Sequence, residues 1–198
     1  MDTLLIRRRR PIGEPVPAAA GAGRRTHDGT AGAGRIIASL LDLGVAVDAV
    51  HQLVLDPESS AADLGALDLG RPYERVILGS HLVNLPDEET RLGFLSVSRR
   101  HLATDGTLLL EHHPIDWAET AEPTPATPGA ALGMVDVRPH PPYVSAVSVY
   151  DVGGRVLRQP FTARVLSDRE LAAALAKVGL AVTSRLGPTW LIAGPRKR

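Results

Sequence analysis

Short apolar runs alternate with an amphipathic segment across the middle of the chain. The run YERVILGS at 73–80 is typical of a buried strand, and PDEETRLGFLSVSRRHLA at 86–103 of a helix with acids in its first turn. The turn TDG at 104–106 then leads into the apolar strand TLLLEHH at 107–113. Strand, helix, turn and strand in this order predict an α/β fold with a mainly parallel sheet.

An earlier segment repeats this pattern of a helix followed by a strand. RIIASLLDLG at 35–44 has apolar residues at helical spacing, and Gly44 stands where a helix C-cap is expected. VAVDAV at 45–50 follows as a short apolar run, which predicts another buried strand.

The pattern changes to alternation of apolar and polar residues after residue 136. VSAVSVYDV at 144–152 and RVLRQPFTARVL at 155–166 flank Gly153-Gly154, which is a hairpin signal. We therefore expect an extra β-hairpin insert near residues 136–165. A loop rich in Pro, Thr and Ala, at 117–133, precedes it.

The last segment predicts a helix and two strands. SDRELAAALAKVGL opens with Ser167 and Glu170 at the spacing of a capping box, and it closes at Gly179. AVTSRL at 181–186 and TWLIAG at 189–194 then form an antiparallel closing hairpin in this interpretation.

Residues 1–27 differ from the rest because Arg, Pro, Ala and Gly dominate them without periodicity. Such a composition buries little, so we expect a disordered or poorly packed N-terminal segment ahead of one domain at 28–198. The arginine run at 7–10 fits either an anionic partner or, in preference, a solvated tail. Another hypothesis is that the amino-acid sequence upstream of about Gly32 does not come from the native reading frame.

Composition and charge narrow the class of protein. Apolar residues make up 44% of the 198-residue chain, the formal net charge is zero and cysteine is absent. The apolar share is typical of a globular protein. Zero net charge gives no overall electrostatic attraction to nucleic acid or an anionic membrane. The absence of cysteine excludes disulfides and thiolate metal sites. No apolar run is long enough to span a bilayer. We expect a cytoplasmic protein without nucleic-acid or membrane partners.

The stretch DGTAGAGRIIASLLDLG at 28–44 is the first candidate for a ligand site. Gly32 and Gly34 would let the backbone approach a ligand closely, and the helix that follows presents free N–H groups to an anion. A dinucleotide loop needs a third glycine where Ile37 stands, which disfavours a nucleotide-dependent oxidoreductase. A helix-entry turn without any ligand remains the alternative.

Several segments together resemble the class I S-adenosylmethionine-dependent methyltransferases, over roughly residues 28–195. AGAGR at 31–35 resembles the glycine loop of this family, and YERVILGSHLVNLPDEE resembles its fourth strand and the loop that follows. RRHLATDGTLLLEHHP resembles the helix end, turn and fifth strand. The predicted last helix and hairpin resemble the elements that close the family's sheet. The resemblance implies a Rossmann-like, mostly parallel sheet with helices on both faces. It also implies S-adenosylmethionine as cofactor and a small molecule as methyl acceptor.

The resemblance also implies where the cofactor binds, and two departures from the family appear there. An acid is expected at the end of the second strand, where His51 stands, and the segment 52–62 is too short for a full helix and strand. These departures leave a catalytically degenerate relative as the alternative function. The cofactor-binding residues implied are Asp28, Gly32, Gly34, His51, Asp63, Leu64, Ser80 and His81.

Polar side chains follow the two strands that precede the predicted loops at 80–84 and 111–114. His81 and His113 are the candidate catalytic bases, because histidine titrates near neutral pH. Asn84 lies in the same loop as His81, and Glu111 and His112 precede His113. We expect no metal site, because neighbouring histidines in a strand point to opposite faces.

Overall fold

The computed structural model describes residues 2–6, 40, 47–51, 67–124, 133–152 and 155–196. Nine strands, three helices and one 3-10 turn lie in these ranges. They are β1 (Asp2–Ile6), β2 (Val47–His51), β3 (Tyr73–Leu78), the 3-10 turn (Leu82–Asn84), α1 (Glu88–His101), β4 (Leu102–Glu111), α2 (Trp117–Thr120), β5 (Gly133–His140), β6 (Tyr143–Val152), β7 (Arg155–Arg164), α3 (Asp168–Lys177), β8 (Leu180–Leu186) and β9 (Trp190–Pro195).

The larger sheet has six strands in the order β2-β1-β3-β4-β9-β8. β3 and β4 pair in parallel, whereas the other neighbouring strands pair antiparallel. Because β1 and β9 run against the rest, β2, β3, β4 and β8 all point the same way. The predicted α/β sheet and its antiparallel closing hairpin are therefore confirmed, with β1 reversed between two strands of the common direction.

The N-terminal segment differs from its expected disorder at residues 2–6. These residues form β1, which pairs antiparallel with β2 on one side and with β3 on the other. The prediction of disorder rests on the composition of the whole segment, in which the arginines at 7–10 obscure the short apolar run Leu4–Ile6. The rest of that segment lies outside the described residues, and the boundary at residue 28 stays a prediction.

The two faces of β3 pack against different parts of the chain. Val76 and Leu78 are fully buried in the main core with residues of α1 and α3. Ile77, on the other face, packs with the helical residue Leu40 and with Val47 of β2. Helical residues therefore cover both faces of the sheet, as expected. No helix in the described ranges is long and apolar enough to cross a membrane.

The predicted TDG turn lies inside β4 as an irregularity. Tyr73 is level with Leu102, but Arg75 is level with Thr107. β4 therefore has extra residues between Leu102 and Thr107 that have no counterpart in β3. A Cβ at Gly106 would lie 2.8 Å from the side chain of Leu102, which explains why glycine stands there. Helix α1 begins after Asp87, whose carboxylate accepts the Thr90 N–H at 2.7 Å.

The insert near residues 136–165 is a three-stranded antiparallel sheet rather than a hairpin alone. β6 and β7 pair over their whole length as predicted, and β5 adds a third strand beside β6. Helix α2, from the stretch interpreted as loop, packs Ala118 against Val144 and Val165 of this insert. Gly153-Gly154 lies outside the described residues.

The closing helix α3 forms as its sequence predicts. Ser167 Oγ accepts the Glu170 N–H, and the Glu170 carboxylate accepts the Ser167 N–H at 2.9 Å, which completes the capping box. Gly179 follows with a φ of 78°, a left-handed conformation that glycine adopts without a steric penalty. The helix leads directly into β8.

Candidate functional site

The carboxyl ends of β3 and β4 lie side by side, because the two strands are parallel neighbours. Gly79, Ser80 and His81 follow β3, while Glu111 ends β4 and His113 comes two residues later. In α/β sheets, ligands bind outside these strand ends. The structure thus brings together three of the residues predicted for the site: Ser80, His81 and His113.

His51 ends β2 at the same edge of the sheet. Thr3 of β1 is level with Val50 on one side and with Leu78 on the other, so His51 is level with Gly79 two strands away. The backbone of His51 therefore stands where the resemblance places the second-strand residue. The other implied cofactor residues, Asp28, Gly32, Gly34, Asp63 and Leu64, lie outside the described residues.

A left-handed turn carries the first two side chains of the site. Ser80 and His81 have φ values of 56° and 53°, which L side chains rarely adopt. The Glu111 carboxylate holds this turn, because its Oε2 accepts the Ser80 N–H at 2.6 Å. A Cβ at Gly79 would lie 3.6 Å from the same oxygen, so the Glu111 side chain passes directly over that residue.

Three flat rings stack at this edge. The His81 and His113 ring centroids are 3.8 Å apart and their planes differ by 15°. Trp117, from α2, covers the other face of His113 at 3.7 Å and 5°. We call His81, His113 and Trp117 the ring stack. Trp117 stands in the stretch at 117–133 that the sequence pattern predicts as a loop, so its stacking on His113 is not predicted from the sequence.

Burial keeps both histidines of the ring stack uncharged near neutral pH. Loss of hydration, together with the neighbouring His81 and His112, lowers the pKa of His113 from 6.5 to about 2. Burial is also the main reason that the pKa of His81 is lowered, while the Glu111 carboxylate partly offsets it. A nitrogen with a pKa near 2 is a poor proton acceptor, so His81 is the better base of the two.

Glu111 places a carboxylate at this edge. Glu111 Oε1 lies 3.8 Å from His81 Nε2, and the Glu111 side chain is 23% exposed, so it remains accessible to a ligand. His81 Nδ1 and His112 Nε2 are buried without a hydrogen-bond partner among the described residues. A carboxylate beside uncharged rings fits a cationic ligand.

No group of three or more His, Asp or Glu side chains converges in the part of the chain that the structure describes. His112 Nδ1 instead donates to the His113 carbonyl at 2.9 Å, and His112 is buried. The absence of a metal site stays a prediction.

Asn84 joins this edge to the insert sheet. Its side chain is 2% exposed, its Oδ1 accepts the His113 N–H at 2.9 Å, and its Nδ2 donates to the Arg164 carbonyl at 2.8 Å. The sequence places Asn84 in the correct loop, but only the fold shows that its partners lie just after β4 and at the end of β7.

Comparison with known proteins supports the fold. No protein-family model matches the chain, and no curated protein matches it. Among solved structures, the CcbJ methyltransferase from Streptomyces caelestis aligns with a TM-score of 0.50 and 15% identity, over 68% of this chain and 62% of CcbJ. The chain therefore spans less than two thirds of that protein.

A second solved structure covers more of the chain. It is an S-adenosylmethionine-dependent methyltransferase from Clostridium acetobutylicum ATCC 824, with a TM-score of 0.58 and 8% identity, over 83% of this chain and 71% of that protein. At these identities the likeness is one of fold. The chain has the fold of the class I S-adenosylmethionine-dependent methyltransferases.

Proposed function

We propose that this protein transfers a methyl group from S-adenosylmethionine to a small-molecule acceptor at the carboxyl-end edge of β3 and β4. The observation that carries the proposal is the Glu111 carboxylate set beside an uncharged ring stack, on a methyltransferase fold. The cofactor supplies an activated methyl group on a sulfonium cation. A carboxylate and aromatic faces stabilise such a cation, whereas protonated histidines would repel it.

The residues that would hold the cofactor fall into two groups. Ser80 and His81, fixed by Glu111, are those whose side chains the structure describes. The second group rests on the resemblance alone and comprises Asp28, Gly32, Gly34, His51, Asp63 and Leu64.

The two candidate catalytic histidines take different roles in this proposal. His81, with its lowered pKa, is unprotonated at neutral pH and can accept a proton from the acceptor. His113 packs between His81 and Trp117 and serves as an uncharged platform, which revises its expected role as a base. The cytoplasmic location and the absence of nucleic-acid and membrane partners stay predictions from the sequence.

A catalytically degenerate relative is the second candidate. The direction of β1 favours it, because Ile6 at the carboxyl end of this strand is level with Arg75 near the start of β3. The strand beside β3 therefore ends away from the site, whereas the family's glycine loop directly follows its first strand. His51 at the end of β2 adds to this alternative, since imidazole cannot accept bonds from two hydroxyls.

Calorimetric titration with S-adenosylmethionine and S-adenosylhomocysteine tests the proposal. We expect micromolar binding by the wild-type protein and at least tenfold weaker binding of S-adenosylmethionine by Glu111→Gln, about 1.4 kcal/mol. Glu122→Gln, which neutralises an exposed carboxylate, is the matched control and should bind like wild type. If folded wild-type protein binds neither compound, the methyltransferase proposal is wrong and the degenerate relative stands.

A further inference from the structure

Asn84 is a buried residue that forms hydrogen bonds to three segments of the chain. Its side-chain amide uses Oδ1 for the His113 N–H of the β4 end and Nδ2 for the Arg164 carbonyl of the β7 end. Its own N–H donates to the His81 carbonyl at 2.8 Å, inside the left-handed turn. Because one bond needs an acceptor and the other a donor, an amide suits this position and a carboxylate does not.

The segments that Asn84 joins belong to the ring stack and to the insert sheet. His81 and His113 are two of the three rings, and Arg164 is the last residue of β7. Directly after it, Val165 donates its N–H to the Pro142 carbonyl and packs in the cluster beneath the insert. A shift of the insert relative to the main sheet therefore pulls on this amide and on the backbone of His113.

We propose that Asn84 is a positioning residue that keeps the insert sheet and the ring stack in one fixed arrangement. The side chain of Asn84 touches none of the groups that we assign to cofactor binding or proton transfer. It acts through the backbone of His113. Its effect on methyl transfer rests on the proposed function. Its effect on the ring stack does not, and can be measured in the protein without any ligand.

The substitution Asn84→Asp separates the two hydrogen bonds. One carboxylate oxygen can still accept the His113 N–H, while the other faces the Arg164 carbonyl and repels it. When the carboxyl group is protonated, its O–H can donate to that carbonyl again, and burial raises the pKa at which this happens. The variant should therefore regain the native arrangement on acidification, which a general loss of stability would not produce.

Nuclear magnetic resonance of the ring protons reads the arrangement directly. Stacked rings shift one another's resonances, so we expect Asn84→Asp to lose the shifts of His81, His113 and Trp117 at neutral pH and regain them at about pH 5, with wild type measured at both pH values. The matched control is Ser145→Ala, which removes an exposed hydroxyl pair with Thr162 in the same insert and should leave the shifts unchanged.

A second variant covers the case in which the buried carboxylate prevents folding. Asn84→Ala introduces no charge and should lose the ring shifts at every pH. If either variant folds and keeps wild-type ring shifts at neutral pH, Asn84 is only a structural residue and the inference is wrong.

Turnover then distinguishes this inference from the proposed function. With an acceptor found by screening for released S-adenosylhomocysteine, we expect Asn84→Asp to lower kcat at least tenfold at neutral pH, with the Kd for S-adenosylhomocysteine changed less than twofold. Wild-type protein that shows the ring-shift response but binds no cofactor would refute the proposed function and leave this inference intact. Normal cofactor binding with unchanged ring shifts would do the opposite.

Discussion

His113 links the protonation state of the ring stack to the stability of the fold. Its pKa falls from 6.5 to about 2 on folding, so the folded protein keeps this imidazole uncharged at pH values where the unfolded chain protonates it. Because the unfolded state then binds more protons, the free energy of unfolding decreases as the pH drops below about 6.5. The decrease continues until the pH reaches the folded-state pKa.

The size of the effect follows from this difference in pKa. One fully linked group contributes about 1.4 kcal/mol per pH unit, so acidification from pH 6.5 to about 5 would cost about 2 kcal/mol. We expect about 1–2 kcal/mol, because the ring is partly exposed and solvent screens its charge. The carboxylates with lowered pKa, Asp87, Glu88 and Glu170, titrate below this range and do not mask it.

Urea unfolding at about pH 7 and pH 5 measures this loss. His113→Phe keeps a flat ring between His81 and Trp117 but cannot take up a proton, so it should lose about 1–2 kcal/mol less than wild type on acidification. His81 acts in the same direction in both proteins. His140→Gln, which replaces an exposed histidine, should behave like wild type. Equal pH dependence in wild type and His113→Phe would refute the argument.

Three further substitutions test the fold by urea or thermal unfolding. Ser167→Ala removes the N-cap of α3 and should cost about 1 kcal/mol. Leu191→Ala leaves a cavity in the main core and should cost about 2–5 kcal/mol, whereas Leu186→Ala at an exposed position should change stability little. Gly106→Ala forces a methyl group against the Leu102 side chain and should cost about 1–3 kcal/mol; wild-type stability would show that β4 relaxes freely there.

The elements with local signals were predictable from the sequence. Helix α3 carries its own start in Ser167 and Glu170 and its own end in Gly179, and all three do in the structure what the pattern indicates. Helix α1 was predicted from acids in its first turn, and Glu88 and Glu89 lie there, while Asp87 is the N-cap. Such signals act over a few residues, so they can be recognised in the sequence without knowledge of the rest of the fold.

Elements that depend on tertiary pairing were not predictable in full. β1 has only five residues, and nothing in its pattern tells whether it runs parallel or antiparallel to its neighbours. β5 begins at Gly133 and contains Pro139, two residues that weaken a strand prediction, yet pairing with β6 stabilises it. β1 therefore depends on partners distant in sequence, and β5 on the next strand along the chain.

The candidate site shows the same division. Ser80, His81 and His113 were predictable at one edge because the carboxyl ends of parallel neighbours meet there. The ring stack was not, since it depends on two successive left-handed residues without glycine and on Trp117 from a helix of four residues. The Glu111 and Asn84 hydrogen bonds hold the left-handed turn, and no spacing in the sequence reveals them.

The described strands on either side of the glycine segment show where the chain leaves and re-enters the sheet. Ile6, at the end of β1, is level both with Arg75 near the start of β3 and with Val47 at the start of β2. Both points therefore lie at the edge opposite His81.

Leu40 is the described residue of the helix predicted over 35–44. It is helical and packs against Ile77 in the middle of β3. The cofactor loop with Gly32 and Gly34 stays a prediction from the resemblance, and the direction of β1 is the described observation that weighs against it.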